Sequence, residues 1–204
     1  MVYKKQCGVT LLELTVVLLI LIALAGLAVP YVGGTAGKAL CDATDVTMAN
    51  VKRTIMDRYY LDTLGAYPVS AGGADYSLKY LFISGGRPDY DPDTQVGWRG
   101  PYLTNSAILA FEADLMTNLA SAAGTYVHSA FADGDAVVLD AWGRPIVLQV
   151  NGSVARLVSA GPGSGLGISG ADIDTGITDN RQADDRILYL NAPTPAADVN
   201  PRCD

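Results

Sequence analysis

The sequence predicts an α+β fold in which one long amino-terminal helix packs on a small antiparallel β-sheet. Residues 14–32 carry no charged side chain, and an amphipathic helical pattern resumes after Gly37 and ends near Thr63. Two alternating strand patterns meet at Asn151-Gly152, and a third covers residues 187–190. Because the helical patterns come first and the strands follow, we expect the sheet to pack on the long helix.

Length and charge limit the classes of function. The 204 residues, 50% of them hydrophobic, suffice for one domain with a core and an accessory segment. The net charge of -7 and the lack of a cluster of basic residues argue against a nucleic-acid partner, because phosphate binding needs clustered Lys and Arg. The single histidine, His128, excludes histidine-based zinc clusters, and no G-x-S-x-G sequence supplies a nucleophile elbow. We therefore expect no enzyme.

The uncharged run is long enough to cross a membrane. Its length is about 19 residues, and a helix of that length spans a hydrocarbon core of roughly 30 Å. We assign residues 11–32 as the membrane segment. Lys4 and Lys5 precede it, so the positive-inside rule places the amino terminus in the cytoplasm and exports the residues that follow.

Two simpler interpretations of this segment remain open, an uncleaved anchor and a conventional signal peptide cut after Ala23-Leu24-Ala25. A lipoprotein is excluded because Cys7 follows charged and polar residues and no apolar stretch. A simple anchor leaves Glu13 unexplained, since an ionisable side chain in a membrane segment disfavours insertion by about 3 kcal/mol.

Glu13 has a specific position relative to Gly8. The sequence Gly8-Val9-Thr10-Leu11-Leu12-Glu13 resembles the type III signal of type IV pilins and type II secretion pseudopilins. The resemblance implies a cytoplasmic leader, residues 1–8, that a prepilin peptidase removes before the new amino terminus at Val9 is methylated. It further implies a long helix over residues 9–63 and a globular head over residues 64–204. Val9 stands where the family usually has phenylalanine.

Glu13 is the candidate assembly residue. A carboxylate in an apolar environment is stabilised by a cation, and cleavage after Gly8 would supply the α-amino group of a neighbouring subunit. Such an ion pair would fix the axial register of one helix against the next. The alternative is a solvated glutamate at the start of the helix.

Pro30 is the candidate helix kink. It removes a backbone donor and clashes with the preceding turn. Four nearby glycines also lower the helix propensity: Gly26, Gly33, Gly34 and Gly37. We expect the helix to bend or loosen here.

The second half of the helix and the sheet are predicted from periodicity. Met48, Val51, Ile55 and Tyr59 recur at three- and four-residue spacing and predict a face against the core. Strands are predicted over residues 146–150, 154–158 and 187–190. Asn151-Gly152 favours a tight hairpin turn, and the turn explains both residues without using the overlapping glycosylation sequon.

Four further blocks resemble segments of major pseudopilins, in the family's order: residues 98–103, 140–145, 159–162 and 184–187. Their tryptophans are expected to pack in the core. Ala141 departs from the family pattern, which has proline at this position. Residues 105–135 form an insert, in which the spacing of apolar residues predicts a helix: Ile108, Phe111, Leu115 and Leu119.

The loop of residues 161–185 is the candidate metal site. Its aspartates offer hard oxygen ligands on a glycine-rich backbone, which calcium prefers. The resemblance implies calcium at Asp184 and Asp185, with Asp172 and Asp174 as further ligands. Gly163-Ser164 occupies a stretch where relatives often carry an aspartate, which leaves the ligand set open.

Cys41 and Cys203 both follow the membrane segment, so both are expected in an oxidising compartment, where they form a candidate disulfide bond. Two free thiols or a bond between subunits are the alternatives.

By this resemblance we expect a structural subunit of a helical filament, stored in the inner membrane with its head exported and then added to a type II secretion pseudopilus. The expected partners are identical subunits, the prepilin peptidase, an inner-membrane assembly platform, minor pilins and membrane lipid. Two other functions stay open: a surface type IV pilin used in adhesion, motility or DNA uptake, and an exported enzyme or binding protein.

Overall fold

The computed structural model describes residues 11–73, 76–104, 106–108, 134–162, 185–193 and 200, with the side chains of residues 25–36 and 108 excepted. This part of the chain is α+β, with helices and a small antiparallel sheet. The chain divides into two compact units. One comprises residues 40–202 and holds the sheet and its core; the other comprises residues 1–39 with 203–204.

Three helical elements follow each other directly. Helix α1 is Leu11–Thr54, a π-helical segment is Ile55–Tyr59, and helix α2 is Tyr60–Asp62. The Tyr60 N–H donates to the carbonyl of Ile55, five residues earlier, which is the bond that defines a π turn. A short 3₁₀ helix, Leu78–Leu81, comes later.

Helix α2 ends in a left-handed turn. Leu64 has φ 56° and Gly65 has φ 90°. The Gly65 N–H donates to the carbonyl of Tyr60 at 2.8 Å and satisfies one of the last helical carbonyls. Glycine adopts a positive φ without steric cost because it has no Cβ. For Leu64 the same conformation is sterically unfavourable.

The main sheet has three antiparallel strands. In spatial order they are β3 (Val147–Asn151), β4 (Val154–Ser159) and β5 (Arg186–Tyr189). All three predicted strands are present: β3 and β5 are each displaced by one residue, and β4 begins as predicted and extends one residue further. A separate pair joins β1 (Ala107–Ile108) to β2 (Ala136–Val137).

The hairpin turn lies one residue later than the sequence predicted. Asn151 pairs with Val154 in the ladder, so the two loop residues are Gly152 and Ser153. Only Gly152 has a positive φ, of 56°, which fits a type II′ turn because type I′ requires positive φ at both central residues.

The predicted helix face is confirmed as part of the core. Met48, Val51, Ile55 and Tyr59 are each at most 2% exposed and pack with Leu148 and Leu157 of the sheet. The opposite face of the sheet is buried as well, through a second cluster: Val147, Val158, Ala160, Ile187 and Tyr189. Every strand of the main sheet therefore contributes apolar side chains to both faces.

The prediction for Ile108 was wrong. The spacing of apolar residues placed it at the start of a helix, but its backbone lies in β1 and pairs with Ala136. The spacing of apolar residues reports only the local pattern of the sequence. It does not detect strand pairing with a distant segment, which determines the structure at this position. The other residues of the predicted helix, from Phe111 to Leu119, lie outside the described residues.

Candidate functional site

Residues 11–24 of α1 form an apolar surface of exposed side chains. Leu11 is 83% exposed and Ile22 is 69% exposed, and even Val16 and Leu18 remain 49% exposed. A soluble domain rarely exposes apolar side chains on every side of a helix, because each loses the free energy of burial.

Two polar residues lie at the beginning of the apolar surface. Thr15 donates its hydroxyl to the carbonyl of Leu12 at 2.9 Å, so the helix itself satisfies this group. Glu13 lies in α1, two residues after Leu11, the first residue that the structure describes. Gly8 and Val9, the predicted processing site, lie outside the described residues.

Pro30 lies inside α1, whose bounds extend well beyond it on both sides. The proline therefore does not terminate the helix. The bend predicted at this position stays a prediction.

Two basic side chains connect α1 to β5 by hydrogen bonds. Arg186 forms two hydrogen bonds with the carboxylate of Asp45, one of them from Nε to Oδ1 at 2.7 Å. Lys52 donates to the carbonyl of Tyr189 at 2.6 Å. These contacts join the helix to both ends of the last strand.

Asp140 organises the block of residues 140–145. Its Oδ1 accepts hydrogen bonds from the amides of Trp142 at 2.9 Å and Arg144 at 2.8 Å. Its Oδ2 accepts the hydroxyl of Ser159 at 2.7 Å. The carboxylate is buried, and three donors compensate the loss of hydration, so Asp140 serves as a structural centre for this loop.

Ala141 contacts a buried threonine of α1. The Ala141 N–H donates to Oγ1 of Thr44 at 3.1 Å, and Thr44 in turn donates to the carbonyl of Leu40 at 3.0 Å. Proline has no N–H and cannot make this bond. Alanine at this position therefore connects the loop to the buried threonine of the helix.

The block of residues 98–103 contacts the carboxyl end of α2. Tyr102 donates its hydroxyl to Oδ2 of Asp62 at 3.1 Å and accepts the amide of Arg99 at 3.0 Å. Trp98 stacks edge-on against Tyr102 with ring centroids 6.1 Å apart. Burial raises the pKa of Tyr102 to about 12. The hydrogen bond from the Arg99 amide opposes this increase, and the Asp62 carboxylate adds to it.

Both ends of the candidate calcium loop are fixed. At its start, Arg144 donates to the carbonyls of Gly161 at 2.8 Å and Pro162 at 3.0 Å. At its end, Asp185 is fully buried beside the anchored Arg186. Asp172, Asp174 and Asp184 lie outside the described residues. Within the described ranges, no group of three acidic, histidine or cysteine residues is arranged to hold a metal ion.

Cys41 is 6% exposed and takes part in a disulfide bond. Cys203 lies outside the described residues, so the pairing of these two cysteines stays a prediction.

No family model, curated protein or solved structure matches the chain. In the part of the chain whose side chains the structure describes, no helix combines the length and apolar character needed to cross a membrane.

Two buried polar residues of the helical segment contact the rest of the domain, and the sequence pattern could have predicted them. Thr44 and Asp62 extend the spacing of the predicted core face by one step at each end, and both are buried. A polar residue at a core position of an amphipathic helix needs a buried partner. Their positions therefore indicated contacts with the head, here with Ala141 and Tyr102.

Proposed function

We propose that this chain is a structural subunit of a helical filament of the type II secretion pseudopilus kind. The observation that carries the proposal is the apolar surface of residues 11–24, which is exposed on all sides of α1 and includes Glu13. Its function is mechanical: apolar helices of many subunits form the filament core, and the heads form the outside.

The proposed sequence of events begins in the inner membrane, where lipid covers the apolar surface and the head is exported. The prepilin peptidase cuts between Gly8 and Val9, and the new amino terminus is methylated. An assembly platform, with minor pilins, then transfers subunits from lipid to the filament. In the filament, Glu13 pairs with the methylated amino group of a neighbour and fixes the register, because a mismatched register leaves a buried charge uncompensated.

The intact mass of the mature protein tests the processing step. A methylated chain that begins at Val9 is expected. A chain that begins at Gly26 would indicate a conventional signal peptide, and an uncut chain would indicate an anchor; either result contradicts the proposal.

Glu13→Gln tests the assembly step, since it removes the charge and keeps the size of the side chain. Membrane insertion and cleavage are expected to persist while filaments are lost. Thr15→Ala is the matched control: its hydroxyl is satisfied within its own helix, and filament yield should stay near that of the unmodified chain. Normal filaments from Glu13→Gln would refute the role of the charge.

Loss of the subunit is expected to have different effects for a secretion filament and for a surface pilus. Deletion of the gene in its host is expected to leave folded secretion substrates in the periplasm. Normal secretion together with loss of surface filaments, adhesion or DNA uptake would instead identify a surface type IV pilin.

A further inference from the structure

A cavity of about 350 Å³ lies on the head, lined in part by tyrosines. Tyr60 of α2, Tyr67 of the turn that follows and Tyr76 provide the aromatic walls. Ser153 at the tip of the β3–β4 hairpin and Asn191 after β5 provide polar walls. The cavity therefore collects side chains from segments that are far apart in sequence.

Hydrogen bonds hold these segments in place. Asn191 accepts the amide of Ala155 at 3.2 Å through Oδ1 and donates through Nδ2 to the carbonyl of Ser153. On the opposite wall, an isolated β-bridge joins Val69 to Tyr76. Because the walls are fixed before any ligand arrives, binding would require little ordering of the protein.

The three tyrosines of the cavity lining can offer a ligand their aromatic rings and their hydroxyl groups. The rings of Tyr60 and Tyr67 lie 5.5 Å apart at an angle of 48°. Tyr67 is only 8% exposed, and among the described residues no hydrogen-bond partner is present for its hydroxyl or for those of Tyr60 and Tyr76. Burial, together with the neighbouring Tyr60, raises the pKa of Tyr67, so its hydroxyl stays a neutral donor.

The chemistry of the lining selects the class of ligand. Among the described residues, no charged side chain lines the cavity, which disfavours anionic and cationic ligands. Tyrosine rings pack against apolar C–H faces, while hydroxyl and amide groups bind polar substituents. The volume lies within the range of small-molecule sites. A neutral sugar ring combines apolar C–H faces with hydroxyl groups at this size.

We propose that this cavity binds a neutral hexose unit of a carbohydrate. The inference concerns the head alone and does not rest on filament assembly. A proline-rich peptide is the competing occupant, because such peptides also dock on aromatic side chains. It would leave the tyrosine hydroxyls fewer partners than a sugar does, since each of its residues offers only one carbonyl acceptor.

Saturation-transfer NMR on the full chain, in micelles of a detergent without a sugar headgroup, tests the proposal. The probes are the methyl glycosides of glucose, galactose and mannose, with glucuronic acid and glucosamine as charged comparators. Transfer to the C–H protons of at least one methyl glycoside is expected, with weaker transfer to both charged sugars. No transfer to any of the three, or stronger binding of a charged sugar or of an oligoproline peptide, would overturn the proposal.

Variants locate the site. Tyr76→Ala should weaken the binding of the methyl glycoside about tenfold by removing a ring, and Tyr60→Phe about threefold by removing one hydroxyl. Tyr90→Phe is the matched control, because Tyr90 is a half-buried tyrosine outside the cavity whose ring packs under Arg99. Tyr60→Phe keeps the ring and so tests the site even if Tyr76→Ala fails to fold. Unchanged affinity in both cavity variants would contradict the assignment.

Discussion

Arg186 and Asp45, 141 residues apart in sequence, form a two-point ion pair between β5 and α1. The guanidinium is almost completely buried, with 7% of its side chain exposed, whereas 43% of the Asp45 side chain is exposed. The pair is therefore unequal: loss of the carboxylate removes one partner of a buried guanidinium, while loss of the guanidinium leaves a carboxylate that water can reach.

Asp45→Ala is expected to lower the free energy of unfolding of the full chain by about 2 kcal/mol, between the values typical of exposed and of buried pairs. Denaturant unfolding in detergent micelles, followed by circular dichroism, measures the change. Asp42→Ala is the control, because Asp42 is an exposed acidic residue of the same helix and should change the free energy by less than about 0.5 kcal/mol. Equal effects of the two variants would show that the ion pair contributes nothing specific.

Ala141→Pro is expected to destabilise the head by about 1 kcal/mol or more, although the pseudopilin resemblance would favour proline at this position. The substitution removes the N–H that donates to Thr44. Thr44→Val removes the same acceptor while nearly preserving the shape of the side chain.

A double-mutant cycle separates this bond from other effects of proline. If the bond is the main contribution, Thr44→Val combined with Ala141→Pro should cost clearly less than the sum of the single variants in unfolding free energy. Strict additivity would assign the cost of proline to backbone geometry instead.

Gly100→Ala tests the packing of the block that contains Trp98 and Tyr102. A Cβ at this position would lie 2.7 Å from the Trp98 ring and 2.8 Å from the Tyr102 ring. We expect a loss of about 1 to 3 kcal/mol in unfolding free energy, as for overpacked cores. Gly72→Ala is the matched control, since its Cβ would meet nothing within 4 Å; a similar loss in both variants would disprove the steric explanation.

The parts of the fold that the sequence predicts are those governed by local periodicity. Apolar residues at helical spacing located the buried face at Met48 and Tyr59, and alternating residues around a glycine located the hairpin. The turn was misplaced by one residue because Asn151-Gly152 suits a type I′ loop, whereas the ladder extends to Asn151 and leaves Gly152 and Ser153 as the loop.

The contacts that periodicity could not predict are polar contacts between neighbouring strands. Arg156 is fully buried in β4, where its Nε donates to Gln149 at 2.9 Å and its Nη1 donates to the hydroxyl of Tyr189 at 3.2 Å. An arginine in a strand pattern ordinarily indicates a solvent-facing side. Only the register of all three strands, which places these residues side by side, explains its burial.

Tyr102 is expected to make stability depend on pH at the alkaline end. Its pKa is about 12 in the folded chain against 10 ordinarily, so between these values the unfolded chain has lost a proton that the folded chain keeps. Stability should therefore be fully present below pH 10 and fall as the pH rises toward 12, by at most about 1.4 kcal/mol per pH unit from this group.

Unfolding free energies measured across this range for the unmodified chain and for Tyr102→Phe give the test. The decline with pH should be shallower in Tyr102→Phe. Tyr90→Phe removes a tyrosine hydroxyl elsewhere in the head and should decline like the unmodified chain. Equal slopes in all three proteins would contradict the assignment to Tyr102.

Calcium is expected to raise the melting temperature of the chain through the loop of residues 161–185. The ends of the loop are fixed by Arg144 and by the ion pair of Arg186, so a cation bound by its aspartates would hold the intervening residues to an already rigid frame. Melting with calcium and with a chelator is compared for the unmodified chain and for Asp184→Asn, which should lose most of the increase. Asp91→Asn is the control, because the Asp91 carboxylate already accepts the Asp93 amide and the Thr94 hydroxyl in its own turn. A melting temperature that is the same with calcium and with chelator would refute the calcium site.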